Sequence, residues 1–230
     1  EALRRQLIGD VTHELRTPLT AIKGYMEGLM DGVLPAQTET YQQVHAEVDR
    51  LQRLVDDLQE LSRVESGAYA LKLGPVSVAE VIETVVGNLG RSFADKGIRL
   101  EVAVEPGLPA VRADRDRILQ VLTNLAGNAL QYTPSGGSVT IRATREPSEI
   151  VVSVTDTGIG IAPEHLPHIF DRFYRTDRSR ARASGGSGIG LTIAQALVKA
   201  HGGRIWAESA GVGQGSTFHF TLPLPGDAHL

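Results

Sequence analysis

The feature that most limits what this chain can fold into is a change of hydrophobic period near Gly67. Upstream, apolar residues recur at steps of three and four. Leu3, Leu7, Val11, Leu15, Leu19, Ile22, Met26 and Leu29 form one series, and Val44, Val48, Leu51, Leu54, Leu58 and Leu61 form a second. Such spacing puts each series on one stripe of a helix. The intervening Asp31-Gly32-Val33-Leu34-Pro35 is a turn by composition. Residues 1–68 are therefore expected to form a helical hairpin with one apolar stripe per helix. Two helices bury little surface, so a second copy of the hairpin should complete a four-helix bundle, making the chain a homodimer.

Downstream, in residues 69–230, helical and strand periods alternate. Ser77-Val78-Ala79-Glu80 is a capping box that opens a helix reaching about Ala94. Arg99 to Glu105 alternates like a half-buried strand. Asp114 is a cap for a helix that runs to Tyr132. Ser138 to Arg145 and Glu149 to Thr155 read as a strand pair around Pro147, and Gly190 to Ala200 as a helix closed by Gly202-Gly203. Strands at Arg204 to Glu208 and Ser216 to Leu224 complete the region. The fold class expected is α+β: a hairpin followed by a sheet covered on one face by helices.

The bulk properties exclude several classes. A net charge of −4 argues against a general nucleic-acid binder, which carries a basic footprint. The absence of cysteine removes disulfides and thiolate metal sites. No apolar run approaches the ~20 residues that span a bilayer, and no secretory signal opens the chain. The first helix begins in period without a cap, so it is expected to continue upstream, where any sensor or membrane segment would lie.

Four stretches carry chemistry. In Thr12-His13-Glu14-Leu15-Arg16-Thr17-Pro18, His13 points away from the Val11 and Leu15 stripe. A neutral imidazole there can attack phosphorus, with Glu14 receiving or orienting the proton on its other nitrogen. Thr17 shares the face of His13 and could position a water, and Pro18 frees the Glu14 carbonyl. Thr17 stands where a second histidine would complete the zinc-protease pattern, so that reading fails. Taken alone, a His-Glu pair is more often a solvated helix surface.

Asn124 and Asn128 share one helix face with Gln131 a turn further on, and a carboxamide oxygen can serve Mg²⁺. Asp156-Thr157-Gly158-Ile159-Gly160 follows a β-branched strand; its carboxylate can accept from an exocyclic amine while the glycines let backbone approach a ring. Gly185-Gly186-Ser187-Gly188-Ile189-Gly190 leads into a helix, whose first N–H groups favour phosphate oxygens. It is neither a Walker A loop nor a dinucleotide fingerprint. Phe170 to Arg175 and the run Arg178, Arg180, Arg182 precede those glycines as aromatic anchors and cations. Each alone has a plain alternative as helix edge, strand-ending turn, linker or solvated loop. His165 and His168 lack further ligands nearby and read as surface residues.

As a set, these residues resemble the catalytic core of two-component sensor histidine kinases over nearly the whole chain. Asp10 to Leu19 is similar to the family's H box, Asn124 to Ala129 to its N box, and Asp156 to Gly160 to its first glycine box. Phe170 to Arg175 is similar to the F box, Gly186 to Leu191 to the second glycine box, and Gly213 to Phe218 to the last. The resemblance implies a dimeric phosphoacceptor hairpin and an ATP-binding domain of the gyrase, Hsp90, kinase and MutL type. It implies autophosphorylation of His13 with Glu14 as base, Mg²⁺ held by Asn128, adenine recognised by Asp156, and Tyr132 on the nucleotide. Asn124, Gly158, Gly160, Arg175, Gly186, Gly188, Gly190 and Thr217 would complete the ATP site, with Gly185 to Gly190 as its lid. The phosphoryl group would pass to an aspartate of a response regulator, and Thr17 would support the reverse hydrolysis. The chain would then be the cytoplasmic portion of an inner-membrane sensor. Gln131 departs from the family, standing where a basic residue is usual, and Arg175 is the candidate to compensate. Thr12 replaces the more usual Ser, and Leu7 the more usual Phe. A dimeric scaffold that binds nucleotide but transfers little phosphate is the alternative that Gln131 keeps open. An exposed acceptor histidine argues against an ATP-driven conformational machine.

Overall fold

The computed structural model describes residues 2–65, 71–175 and 188–225, with backbone alone for 2–8, 10, 64 and 65. Helices α1 (Ala2–Met30) and α2 (Thr38–Glu65) form the hairpin. Its turn is closed where the buried Thr40 hydroxyl donates to the Pro35 carbonyl at 2.8 Å. Pro18 lies inside α1 without ending it, and the Thr17 hydroxyl donates back to the His13 carbonyl at 3.3 Å.

The expectation of one apolar stripe per helix needs correction for α2. Leu54 and Leu61 are buried in the same core as the C-terminal region, whereas Val48 and Val55 are 44% and 40% exposed. At 100° per residue the two pairs lie roughly 120° apart around the helix. One side of α2 therefore serves the rest of the chain, and a second apolar side is left exposed, as are Leu19 and Met26 of α1.

The C-terminal region is a two-layer sandwich. Its elements are β1 (Gly74–Val76), α3 (Val78–Asp95), β2 (Arg99–Val104), β3 (Val111–Ala113), α4 (Arg115–Tyr132), β4 (Ser138–Arg145) and β5 (Glu149–Asp156). A 3₁₀ turn (Leu166–His168), α5 (Gly190–Ala200), β6 (Ile205–Glu208) and β7 (Ser216–Pro223) follow. The main sheet runs β2-β4-β5-β7-β6, with β2 parallel to β4 and every other pair antiparallel. β1 and β3 form a separate antiparallel pair. Alternation buries Val139, Ile141 and Ala143 of β4, Ile150, Val152 and Val154 of β5, and Phe218, Phe220 and Leu222 of β7, where Thr221 is buried as well. These meet Ile118, Val121, Leu122 and Leu125 of α4, which packs between α3 and α5. β2 departs from the half-buried alternation expected of it, because it is an edge strand and Val102 is 47% exposed.

The ends of α3 and α4 follow their capping residues. The Ser77 hydroxyl accepts the Glu80 N–H at 3.3 Å. Asp114, 7% exposed, accepts from the backbone N–H of Asp116 and Arg117 at 3.2 and 3.3 Å, and from Lys72 N–H at 2.9 Å. The Asp114 N–H donates to His201 Nε2 at 3.0 Å, so Nε2 is unprotonated and His201 Nδ1–H donates to the Leu197 carbonyl at 2.7 Å. Burial alone would raise the Asp114 carboxyl, but the donors at Lys72, Arg117 and Asp116 and the Arg117 guanidinium outweigh it and hold the group below its ordinary value.

A carboxyl depressed in the folded state contributes stability above its unfolded pKa and loses it as pH falls through the folded value. Replacing Asp114→Ala should therefore cost about 1–2 kcal/mol at neutral pH, the worth of a well-used cap. Urea unfolding of both proteins across pH should show the gap closing in acid. A gap independent of pH would contradict the account.

Candidate active site

A cleft of about 640 Å³, open mouth included, lies where the C-terminal end of α4 meets the ends of β5 and β7. Asn128, Tyr132, Asp156, Ile159, Gly160, Arg175, Leu191, Ser216 and Phe218 are among its walls. Asp156 ends β5 and sits opposite Ser216 in the β5–β7 register. Its carboxylate is 5% exposed and held on both oxygens. Gly158 N–H donates to Oδ1 at 2.7 Å and the Ser216 hydroxyl to Oδ2 at 2.5 Å. A carboxylate fixed in this way is a directional acceptor for a ligand N–H.

The glycine turns pack as one unit. Ile159 N–H donates to the Tyr132 carbonyl at 3.2 Å, Gly213 N–H to the Ile159 carbonyl at 2.6 Å, and Gly215 N–H to the Gly158 carbonyl at 3.2 Å. A Cβ on Gly158 would lie 2.6 Å from both the Tyr132 carbonyl oxygen and Asp156 Oδ1. At Gly160 φ is +68°, and a Cβ would lie 2.0 Å from the Gly211 carbonyl oxygen. These two positions have no room for a side chain.

Below the cleft Phe170 meets Phe218 edge-on at 6.5 Å, and its carbonyl accepts the Thr192 hydroxyl at 3.0 Å. Phe173, at φ 58°, donates its N–H to the Gly188 carbonyl at 3.0 Å, so the aromatic segment is tied to the glycines that precede α5. Gly186, like Arg178, Arg180 and Arg182, lies outside the described residues. His165 hydrogen-bonds Tyr174 at 2.8 Å and His168 pairs with Asp171 at 2.9 Å.

Asn124, Gly158, Gly188, Gly190 and Thr217, all expected in the site, are not in this cleft's wall. Thr217 is turned to the opposite face of β7, where its hydroxyl donates to Thr155 Oγ1 at 3.2 Å. Strand alternation assigns the cleft to Ser216, which shares parity with the buried Phe218 and Phe220. Asn124 is not in the cleft wall; its amide donates to the Gly190 carbonyl at 3.0 Å and braces the start of α5. Gln131 is also absent from the wall, and its buried Nε2 has no hydrogen-bond partner among the described residues.

His13 is 73% exposed, with Nδ1 3.9 Å from Glu14 Oε1, and Glu14 is only 22% exposed. Arg175 links this helix to the cleft. Burial pulls its guanidinium below the ordinary arginine value, Tyr132 and Glu14 oppose that shift, and Arg50 adds to it by like-charge repulsion. A second junction joins α2 to α4, where Arg117 Nη1 donates to Glu60 Oε1 at 2.8 Å and to Gln120 Oε1 at 3.1 Å. Glu60 is 8% exposed. Neither Glu60 nor Arg117 was legible as a site residue, because a charged pair far apart in sequence has no periodic signature.

Comparison with known proteins agrees with both halves. Residues 113–226 match the family described as histidine kinase-, DNA gyrase B- and HSP90-like ATPase, and residues 3–67 match the His Kinase A phospho-acceptor domain. Signal transduction histidine-protein kinase BaeS of Escherichia coli K12 is 40% identical over 99% of this chain and 48% of its own length. The mycobacterial sensor histidine kinase MprB structure is 31% identical, covering 66% of this chain and 97% of its own, with a TM-score of 0.57. Histidine kinase ThkA, solved in complex with response regulator protein TrrA, is 27% identical over 95% of this chain and 61% of its own, with a TM-score of 0.77. The chain belongs to the sensor histidine kinases, as a phosphoacceptor hairpin joined to an ATPase-type sandwich. It spans about half the length of BaeS.

The closed packing of the glycine turns can be tested directly. Gly160→Ala should lower stability by more than about 1 kcal/mol, since the native φ and the space are both incompatible with a side chain. Denaturant unfolding that matches the parent protein would show that the turn is not held this tightly.

Proposed function

We propose that this chain is an ATP-dependent protein histidine kinase that phosphorylates His13 and passes the phosphoryl group to an aspartate of a response regulator. The observation that carries this reading is the joint position of Arg175. It stands in the wall of the cleft with Asn128, Tyr132 and Asp156, and also within electrostatic reach of Glu14 beside the exposed imidazole. ThkA, which shares the fold, is known in complex with a response regulator.

The chain's own groups divide the work. Asp156 takes the amino group of adenine, with Ile159, Ile161 and Phe218 as apolar walls. Asn128 presents a carboxamide in the cleft and would hold Mg²⁺, which supplies charge neutralisation on the phosphates. Arg175 meets phosphate oxygens. Because His13 Nδ1 faces Glu14, Nε2 is the nucleophile. Nε2 forms a bond to the terminal phosphorus as the bond to the bridging oxygen breaks. ADP leaves with that electron pair, and the Nδ1 proton passes to Glu14. The 3.9 Å separation tightens when the imidazole gains positive charge on attack. Thr17 lies one turn from His13 and would position a water for hydrolysis of the phosphorylated regulator.

The outward apolar side of the hairpin, with Leu19, Met26, Val48 and Val55, is the dimer face of a four-helix bundle. None of the described helices is long and apolar enough to cross a membrane. We assign the chain to the cytoplasmic portion of a membrane sensor, in keeping with the relatives named as sensor kinases.

Incubation with ATP and Mg²⁺ should label the protein with phosphate that is acid-labile and base-stable. His13→Gln should abolish the label, and Asn128→Ala should abolish it with the fold intact by circular dichroism. Normal labelling of the His13 variant would sink the assignment. Introducing glutamate at both Val48 and Val55 should shift the protein from dimer to monomer by analytical ultracentrifugation, and an unchanged dimer would reject that face.

A further inference from the structure

We infer that Arg50, on the hairpin, is a phosphate-positioning residue of the kinase site, reaching across the domain junction to the terminal phosphate of the nucleotide. The inference rests on the ATP-binding reading above and adds a residue from outside the nucleotide domain.

Arg50 is only 6% exposed, an uncommon state for a side chain that carries a permanent charge. Its one ion pair among the described residues, from Nη1 to Glu47 Oε2, is long at 3.8 Å. Its Nε and the same Glu47 oxygen lack hydrogen-bond partners among the described residues. Removing a guanidinium from water and leaving a donor unpaired is costly, so a fork held in this way is underused in the absence of ligand.

The surroundings identify what would use it. Leu54, one turn further along α2, is buried in the shared core, and α2 packs on α5, which supplies Leu191 to the cleft. Arg175, the cation in the cleft wall, is close enough to Arg50 for the two guanidiniums to repel. Glu14, on the acceptor helix, is the carboxylate whose charge favours the Arg175 guanidinium. A buried guanidinium with an unpaired donor, within electrostatic reach of a second arginine in the cleft wall, favours a multivalent anion shared by both. The nucleotide's terminal phosphate is the anion that the cleft would bring to this junction. Gln131 cannot supply a cation there, being neutral and absent from the cleft wall.

Only the third phosphate is within this argument, so a triphosphate should feel Arg50 and a diphosphate should not. The test is calorimetric titration of the whole chain with Mg²⁺ and either ADP or a non-hydrolysable ATP analogue. Arg50→Met should weaken analogue binding by about tenfold, the scale of one strong charge-assisted hydrogen bond, with ADP binding unchanged. Arg50→Lys, which keeps the charge but loses the fork, should recover part of that loss. Adding Glu47→Gln to Arg50→Met should not restore it. Equal effects on both nucleotides, no effect on either, or full rescue by the Glu47 change would reduce Arg50 to a counter-ion for Glu47 and overturn the inference. ADP binding to the Arg50→Met protein also reports that it is folded. Failure of the parent protein to bind either nucleotide would instead remove the ATP-binding reading itself.

Discussion

The burial of one face of α4 is the constraint on which the rest of the molecule depends. Ile118, Val121, Leu122, Leu125, Ala126 and Ala129 fill the space between α3, α5 and the sheet, and all are nearly inaccessible. A helix buried on one side fixes the direction of every other residue it carries, because rotation by even one position would put polar groups into the core. Arg117, Gln120, Asn124 and Asn128 then fall on a single polar stripe. That stripe runs from an ion pair with the hairpin, past the start of α5, to the wall of the cleft.

The stripe explains why residues with unlike chemistry must lie on one element. Arg117 ties the N-terminal end of α4 to Glu60, Asn124 sets Gly190 at the start of α5, and Asn128 and Tyr132 present the C-terminal end to the cleft. The same helix is clamped at its first turn by Asp114, whose backbone is joined through His201 to the far end of α5. A displacement at the hairpin is thus felt by a rigid rod whose other end forms the ligand site.

What was legible in the sequence follows from what has a period. The hairpin, the longer helices and the four longer strands of the sandwich each repeat a burial pattern over enough residues to stand out, and the caps at Ser77 and Asp114 mark their starts. β1 and β3 are three residues each and have no pattern to read. The acidic end of β5 and the glycine turns were visible because few sequences can make so close an approach. Thr217 was taken for a cleft residue because the motif was read without its strand parity, and Ser216 was missed for the same reason. The second side of α2 was hidden because Leu54 and Leu61 fit a helical period equally well whether they face a bundle or another domain.

That ambiguity carries a consequence for how the two halves work together. Leu54 and Leu61 contribute about 3–6 kcal/mol by burial, and the Glu60–Arg117 pair adds direction more than energy. The sandwich, by contrast, is closed by three strands, each with a buried face, and three helices. The junction is therefore a smaller apolar contact than the sandwich core, and a ligand that favours one arrangement by a few kcal/mol can redistribute the population. Such a joint suits an acceptor that must meet two partners in turn. In the proposed reading, His13 reaches a nucleotide for phosphorylation and then stands clear for a second protein. A joint held by a large apolar surface would permit only one of these states.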